Sequence, residues 1–197
     1  MPDWQDSASP ASPGNTFHRS IPRFTALPHL WIDPNDLAAM IEHAEHSHPE
    51  ECCGLLVGTM QDDRITAIEV YPMANHWNPE TARDFEAAML TQSDLTQPAA
   101  TDPPSTERRY IIDPRAMLDV QKLARDRGLA IVGIYHSHPE HLAIPSEYDR
   151  EFAWADYVYP IVSVRRGHPS EVRAWRLDDD RQFYELELRT ELQYCDR

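Results

Sequence analysis

The sequence predicts an α/β fold, a mixed central β-sheet flanked by helices, and three observations predict it. Residues 130–135 (AIVGIY) carry no charge and read as a strand buried on both faces. Two Asp-Pro pairs, Asp33-Pro34 and Asp113-Pro114, each open a stretch with helical periodicity. Apolar runs joined by short acidic turns, expected to be hairpins, lie toward both ends of the chain.

Taken in order, residues 1–22 hold Pro2, Pro10, Pro13, Gly14 and several serines without hydrophobic periodicity. They are expected to form a disordered lead-in to a single domain over 23–197. A short strand is expected within 24–32, and Asp33 then caps a helix that puts Leu37, Met40, Ile41 and Ala44 on one face and stops before Pro49. Residues 52–60 (CCGLLVGTM) and 64–71 read as two strands joined through Gln61-Asp62-Asp63. A helix is expected over 80–95. The stretch 97–106 (QPAATDPPST) is too rich in proline for helix or strand and reads as a flexible insertion, bounded at about 92–108. Residues 110–112 are expected to be a short strand. Asp113-Pro114 starts the next helix, which ends at Gly128 and delivers the 130–135 strand. A helix over 146–157 and strands at 158–164, 171–177 and 182–188 complete the chain, the last two separated by Asp178-Asp179-Asp180.

Composition narrows the function classes. With 197 residues, 41% of them hydrophobic, the chain can bury one good core. Eighteen basic against 33 acidic side chains give a net charge of −15, which repels nucleic acid and anionic membranes. Three cysteines, Cys52, Cys53 and Cys195, are not expected to make a disulfide framework, and no stretch of the sequence resembles a signal peptide or a spanning apolar run. A soluble cytoplasmic protein that binds neither nucleic acid nor membrane is expected.

The chemistry gathers at the end of the 130–135 strand, where His136-Ser137-His138-Pro139 follows. In an extended segment alternate side chains share a face, so His136 and His138 can chelate one ion while Ser137 points away. Asp149, one turn into the helix opened by Ser146, supplies an oxygen ligand. Two histidines, one carboxylate and an open position are what catalytic zinc requires. The competing reading makes Ser146-x-x-Asp149 a capping box and the histidines solvated loop residues. The two are compatible, because a capped turn holds Asp149 rigid. His-Ser-His-Pro-Glu also occurs at 46–50, but Leu56 and Thr59 stand where Ser146 and Asp149 follow the second copy, so the first reads as a decoy. His48-x-Glu50 lacks the Pro-Cys-x-x-Cys of the zinc deaminases. A hydrolytic metal site needs a base, and Glu50 and Glu51 both qualify on these residues alone. Cys52 or Cys53 acting as a nucleophile is the weaker alternative, since both adjoin a buried run.

These residues resemble the JAMM (MPN+) metalloprotease family, whose pattern is an upstream Glu, then His-x-His-Pro, six residues and Ser-x-x-Asp. Glu51, His136, His138, Pro139, Ser146 and Asp149 fill every position, and similarity runs from about Ile32 to Leu188 through ECCGLLVG, GIYHSHP, YPIVSV and EVRAW. The compact prokaryotic members carry Glu-x-Cys-Gly before the first long strand, which singles out Glu51 over Glu50. The resemblance implies a JAMM/MPN architecture of cytidine-deaminase-like type, one catalytic Zn2+ on His136, His138 and Asp149, and Glu51 as base. It implies hydrolysis of an amide bond after the C-terminal Gly-Gly of a ubiquitin-like β-grasp sulfur-carrier protein. On that mechanism the Ser146 hydroxyl helps to stabilise the oxyanion. His141, Asn75 and Trp77 are candidates for lining the groove that takes the carrier tail, or else ordinary loop residues. The alternative is a non-catalytic MPN-type scaffold that binds ubiquitin-like partners, and the complete motif argues against it.

Overall fold

The structure, a computed structural model, describes residues 28–61, 64–90 and 105–190. The 1–22 lead-in and Cys195 lie outside them, as do residues 24–27 and most of the 92–108 insertion. The chain forms β1 (His29–Ile32), α1 (Pro34–Ser47), β2 (Cys53–Gln61), β3 (Arg64–Met73), α2 (Pro79–Leu90) and α3 (Pro114–Asp126). It continues through β4 (Ala130–Pro139), α4 (Glu147–Phe152), β5 (Val158–Arg165), β6 (His168–Leu177) and β7 (Phe183–Arg189). No helix among the described residues is long and apolar enough to cross a membrane.

The sheet is mixed, as expected, but it closes. Strand order is β1-β3-β2-β4-β5-β6-β7, and β1 pairs in parallel with both β3 and β7, joining the two edges into a barrel. β2 and β3 form the expected antiparallel hairpin, β5–β6 and β6–β7 are antiparallel, and β4–β5 is parallel.

The apolar runs without alternation have a direct cause: β2 and β4 are covered on both faces. Leu56 and Val132 join a cluster with Leu30, Met40, Ala44 and Val162 on the α1 side. Leu55, Val57 and Ile131 face Val120 and Ala124 of α3 on the other. Both Asp-Pro starts form as expected, with Asp33 Oδ1 accepting from Asn35 N at 2.8 Å and Asp113 Oδ1 from Arg115 N at 2.9 Å. Gly128 ends α3 at φ 71°, the left-handed conformation that suits a residue without a Cβ.

Three elements depart from expectation. The expected strand at 110–112 is absent, because Ile111 spends its backbone groups on a loop: its N–H donates to Asn75 Oδ1 and its carbonyl accepts from His76 N. α4 stops at Phe152 rather than near 157. Arg181 Nη2 takes the carbonyls of Arg150, Glu151 and Ala153, and the Tyr159 hydroxyl takes both backbone groups of Trp154. β4 does not end at Tyr135 but runs through His136-Ser137-His138 to Pro139, paired with β5 as far as Pro139 with Val164. Glu140 then turns the chain at φ 60°.

Candidate metal centre

The extension of β4 builds the site. His136 and His138 fall on one side of the strand, opposite Ile161 and Ser163 of β5. Ser137 faces the other way, where its Oγ accepts from Cys52 N at 2.8 Å and stitches β4 to the residue before β2. The two Nε2 atoms approach to 3.0 Å. Asp149 Oδ1 lies 3.3 Å from His136 Nε2, and Oδ2 lies 3.5 Å from His138 Nε2. One donor atom from each of the three residues lies within 4.8 Å of the others, and this is the only such group among the described residues.

Each donor is aimed by a neighbour. His138 Nδ1 donates to the Leu142 carbonyl at 2.9 Å; a carbonyl only accepts, so this nitrogen carries the hydrogen and Nε2 is left to face the centre. Asp149 closes the capping box of α4. Its Oδ2 accepts from Ser146 N at 2.6 Å and from Ser146 Oγ at 2.7 Å, while Asp149 N donates to Ser146 Oγ at 3.1 Å. The two readings of Ser146-x-x-Asp149 are therefore one arrangement. The His136 ring stacks on Tyr110 at a centroid distance of 4.7 Å, and its Nδ1 has no hydrogen-bond partner among the described residues.

Electrostatics match a site built for a cation. Burial alone would raise the Asp149 carboxyl, but the His136 and His138 imidazoles outweigh it and hold the group well below its usual range. Burial works to lower His138, yet the hydrogen bond and charge of Asp149, with Glu51 adding, bring it up to about 9. His136, fully enclosed, is lowered by desolvation against the pull of Asp149.

Glu51 and Glu50 part company here. Glu51 is 5% exposed, its N–H donates to Thr106 O at 2.8 Å and its carbonyl accepts from Asn75 Nδ2 at 3.0 Å. Its side chain lines a cavity of about 420 Å³ together with His138 and Ser146. Burial pushes its carboxyl well above the usual range; the charge of His138 opposes this, Asp149 adds to it and Arg109 opposes. Glu50 is exposed and accepts from the Thr106 hydroxyl at 3.0 Å. Cys52 and Cys53 are free and buried, and burial pushes the Cys52 thiol up to about 12 and that of Cys53 further, so neither offers a thiolate near neutral pH.

The first His-Ser-His-Pro-Glu copy stands apart from the centre. His46 Nδ1 bonds Glu42 O within α1, and His48 Nε2 pairs with Glu140 at 3.1 Å. Of the groove candidates, His141 lines the cavity. Trp77 and Asn75 do not: Trp77 is buried against Ala82 and Ile111, and Asn75 spends its amide on backbone. The roles of Asn75, Thr106 and Tyr110 carry no local sequence signal, because their partners lie far along the chain.

Residues 34–178 match the family model described as prokaryotic homologs of the JAB domain, Prok-JAB. The CysO-cysteine peptidase of Mycobacterium tuberculosis is 31% identical over 142 residues, 72% of this chain and 77% of that protein. The desampylase of Haloferax volcanii is 31% identical over 123 residues, 62% of this chain and 68% of its own. A solution structure from Desulfitobacterium hafniense superposes with a TM-score of 0.61 at 24% identity, covering 84% of this chain and 97% of that one, which shows the shared fold.

Proposed function

The chain belongs to Prok-JAB, the prokaryotic homologs of the JAB domain, and from that premise we propose that it is a zinc-dependent peptidase. Its substrate on this reading is a ubiquitin-like β-grasp sulfur-carrier protein, cut at the amide bond after the C-terminal Gly-Gly. The names of its relatives, a CysO-cysteine peptidase and a desampylase, support a peptidase acting on such conjugates. The observation that carries the reading is the convergence of two Nε2 atoms and one carboxylate beside a buried glutamate that lines the same cavity as His138.

The donor set fits the ion. Two neutral imidazole nitrogens and one carboxylate leave a fourth position open, the composition of catalytic rather than structural zinc sites. Bound there, zinc supplies Lewis acidity and brings the pKa of water toward about 7. His136, His138 and Asp149 would hold the ion, with the capping box fixing Asp149 at the start of α4.

Glu51 moves the protons. It takes one from the attacking water, holds it while the carbon–nitrogen bond of the scissile amide breaks, and gives it to the leaving nitrogen. Its buried, raised carboxyl suits a group that must both accept and release a proton near neutrality. The Ser146 hydroxyl, which donates to Asp149 here, lines the same cavity. Rotation about its side-chain bond turns it toward the oxygen on which charge develops. Buried free thiols at Cys52 and Cys53 support a reducing, cytoplasmic setting.

Glu51→Gln keeps shape and ligands but cannot carry the proton. The expected result is stoichiometric zinc with hydrolysis of a Gly-Gly-extended carrier slowed by about 10²-fold to 10⁴-fold, read by mass spectrometry with and without chelator. Full activity in this variant would remove Glu51 from the mechanism.

A further inference from the structure

The cavity that holds Glu51 and His138 is also lined by Arg165 and Arg108. Arg165 closes β5 two residues past Ser163, the partner of His138 across the β4–β5 ladder. Residues at that spacing on neighbouring strands lie roughly 7 Å apart along the chain direction, within reach of a long side chain. Arg165 is exposed, and its guanidinium has no hydrogen-bond or ion-pair partner among the described residues. Other cations around the fold are committed: Arg127 to Glu69, Arg173 to Glu185, Arg150 to Glu147.

The acid beside it does not neutralise it. Glu140 Oε1 accepts from Arg166 N at 2.7 Å and from His48 Nε2 at 3.1 Å, so that carboxylate is drawn toward its own chain turn. Leu142 and Ile144 line the same cavity and present apolar surface, each more than two-fifths exposed. The cavity that holds His138 and Glu51 therefore also offers apolar surface and an uncommitted cation.

Resting on the hydrolase reading above, the geometry points to Arg165 as a specificity-determining residue that binds the α-carboxylate of the leaving group, so that the preferred substrate is a carrier ending one residue past the cut. A C-terminal residue brings its carboxylate within about one residue length, ~4 Å, of the departing nitrogen. An isopeptide-linked lysine brings no charge there. A guanidinium meets a carboxylate through two parallel hydrogen bonds, worth roughly 10-fold to 100-fold when the partner lacks the charge. Arg108, which also lines it, adds positive potential to the same cavity.

The test uses zinc-loaded full-length protein and β-grasp sulfur carriers extended past Gly-Gly by one alanine, prepared as free acid and as carboxamide. Cleavage of the acid should exceed that of the amide by about 10-fold or more in kcat/KM. In Arg165→Gln the ratio should fall toward one, and Arg165→Lys should recover part of it, with zinc content and thermal midpoint as in the parent. Equal cleavage of acid and amide by the parent protein overturns this assignment alone and leaves the hydrolase reading standing. A ratio that survives Arg165→Gln does the same. Cleavage of neither form overturns the hydrolase reading and this one together.

Discussion

Asn75 shows how a single side chain aims the proposed base. Its Nδ2 donates to the carbonyls of Glu51 and Arg109, each at 3.0 Å, and its Oδ1 accepts from Trp77 N at 2.9 Å and Ile111 N at 3.2 Å. That is the whole capacity of one amide, spent on backbone from three separate stretches. In the sequence Asn75 looks like any polar loop residue, since neither the Glu51 nor the Ile111 partner is local. Glu51 itself was legible only through the motif, because the residues alone left Glu50 equally open. In the fold, the bond from Glu51 N to Thr106 O and the Asn75 latch turn one glutamate inward while its neighbour stays in solvent. Asn75→Ala strips four backbone groups of their partners at once. It should cost about 2–4 kcal/mol in urea unfolding, after partial replacement by water. Hydrolysis should slow while zinc stoichiometry holds, since no metal ligand is touched. A variant of parental stability and rate would show that the latch is ornamental.

At the scale of elements, local chemistry was the readable part. Both Asp-Pro helix starts, the Gly128 stop and the hairpins follow from capping and turn preferences that act within a few residues. What the pattern missed depends on contacts from elsewhere: the polar end of β4 reads as the end of a strand because nothing local shows that its histidines are buried together. The 110–112 segment has strand-like composition, yet its backbone partners lie in a loop. α3 illustrates how an element is then fixed in place. Arg127 at its C-terminal end makes a two-pronged ion pair with Glu69 of β3, 2.6 Å on each side, and the Tyr71 hydroxyl donates to the same carboxylate at 2.7 Å. These hydrogen bonds, that of Arg127 first, bring the Glu69 carboxyl down from 4.5 to about 2. A carboxyl depressed in the folded state stabilises it fully above the unfolded value, and the contribution fades as pH falls from about 4.5 through about 2. Glu69→Gln should therefore lower the urea midpoint relative to the parent at pH 7, with the gap closing as both are titrated toward pH 2. A gap that persists unchanged at pH 2 would assign the effect to packing instead.

On the scale of the whole molecule, closure was the feature no local pattern could announce. β1 is four residues long, and it joins β3 and β7 in parallel, with His29 opposite both Arg64 and Glu187. Parallel pairing needs a crossover and names no partner in the sequence. The candidate centre inherits the same non-local character, since its histidines belong to β4, its carboxylate to α4 and the proposed base to the turn before β2. An unfolded chain keeps only the His136/His138 pair close together, so the three donors meet in the folded state alone and zinc held at the proposed centre would be linked to folding. A ligand held only by the folded state at 100 times its dissociation constant stabilises it by about 2.7 kcal/mol, roughly 5–10 °C in melting temperature for a chain of this size. Titrating chelator-treated protein with zinc should raise the thermal midpoint by that order, and chelator should reverse the rise. His138→Ala, which removes one of the three proposed ligands, should lose most of the shift while the barrel still forms, because the apolar clusters on both faces of β2 do not include this ring. An equal shift in parent and variant would locate the stabilising ion elsewhere on this acidic chain and remove the physical basis for reading His136, His138 and Asp149 as one centre.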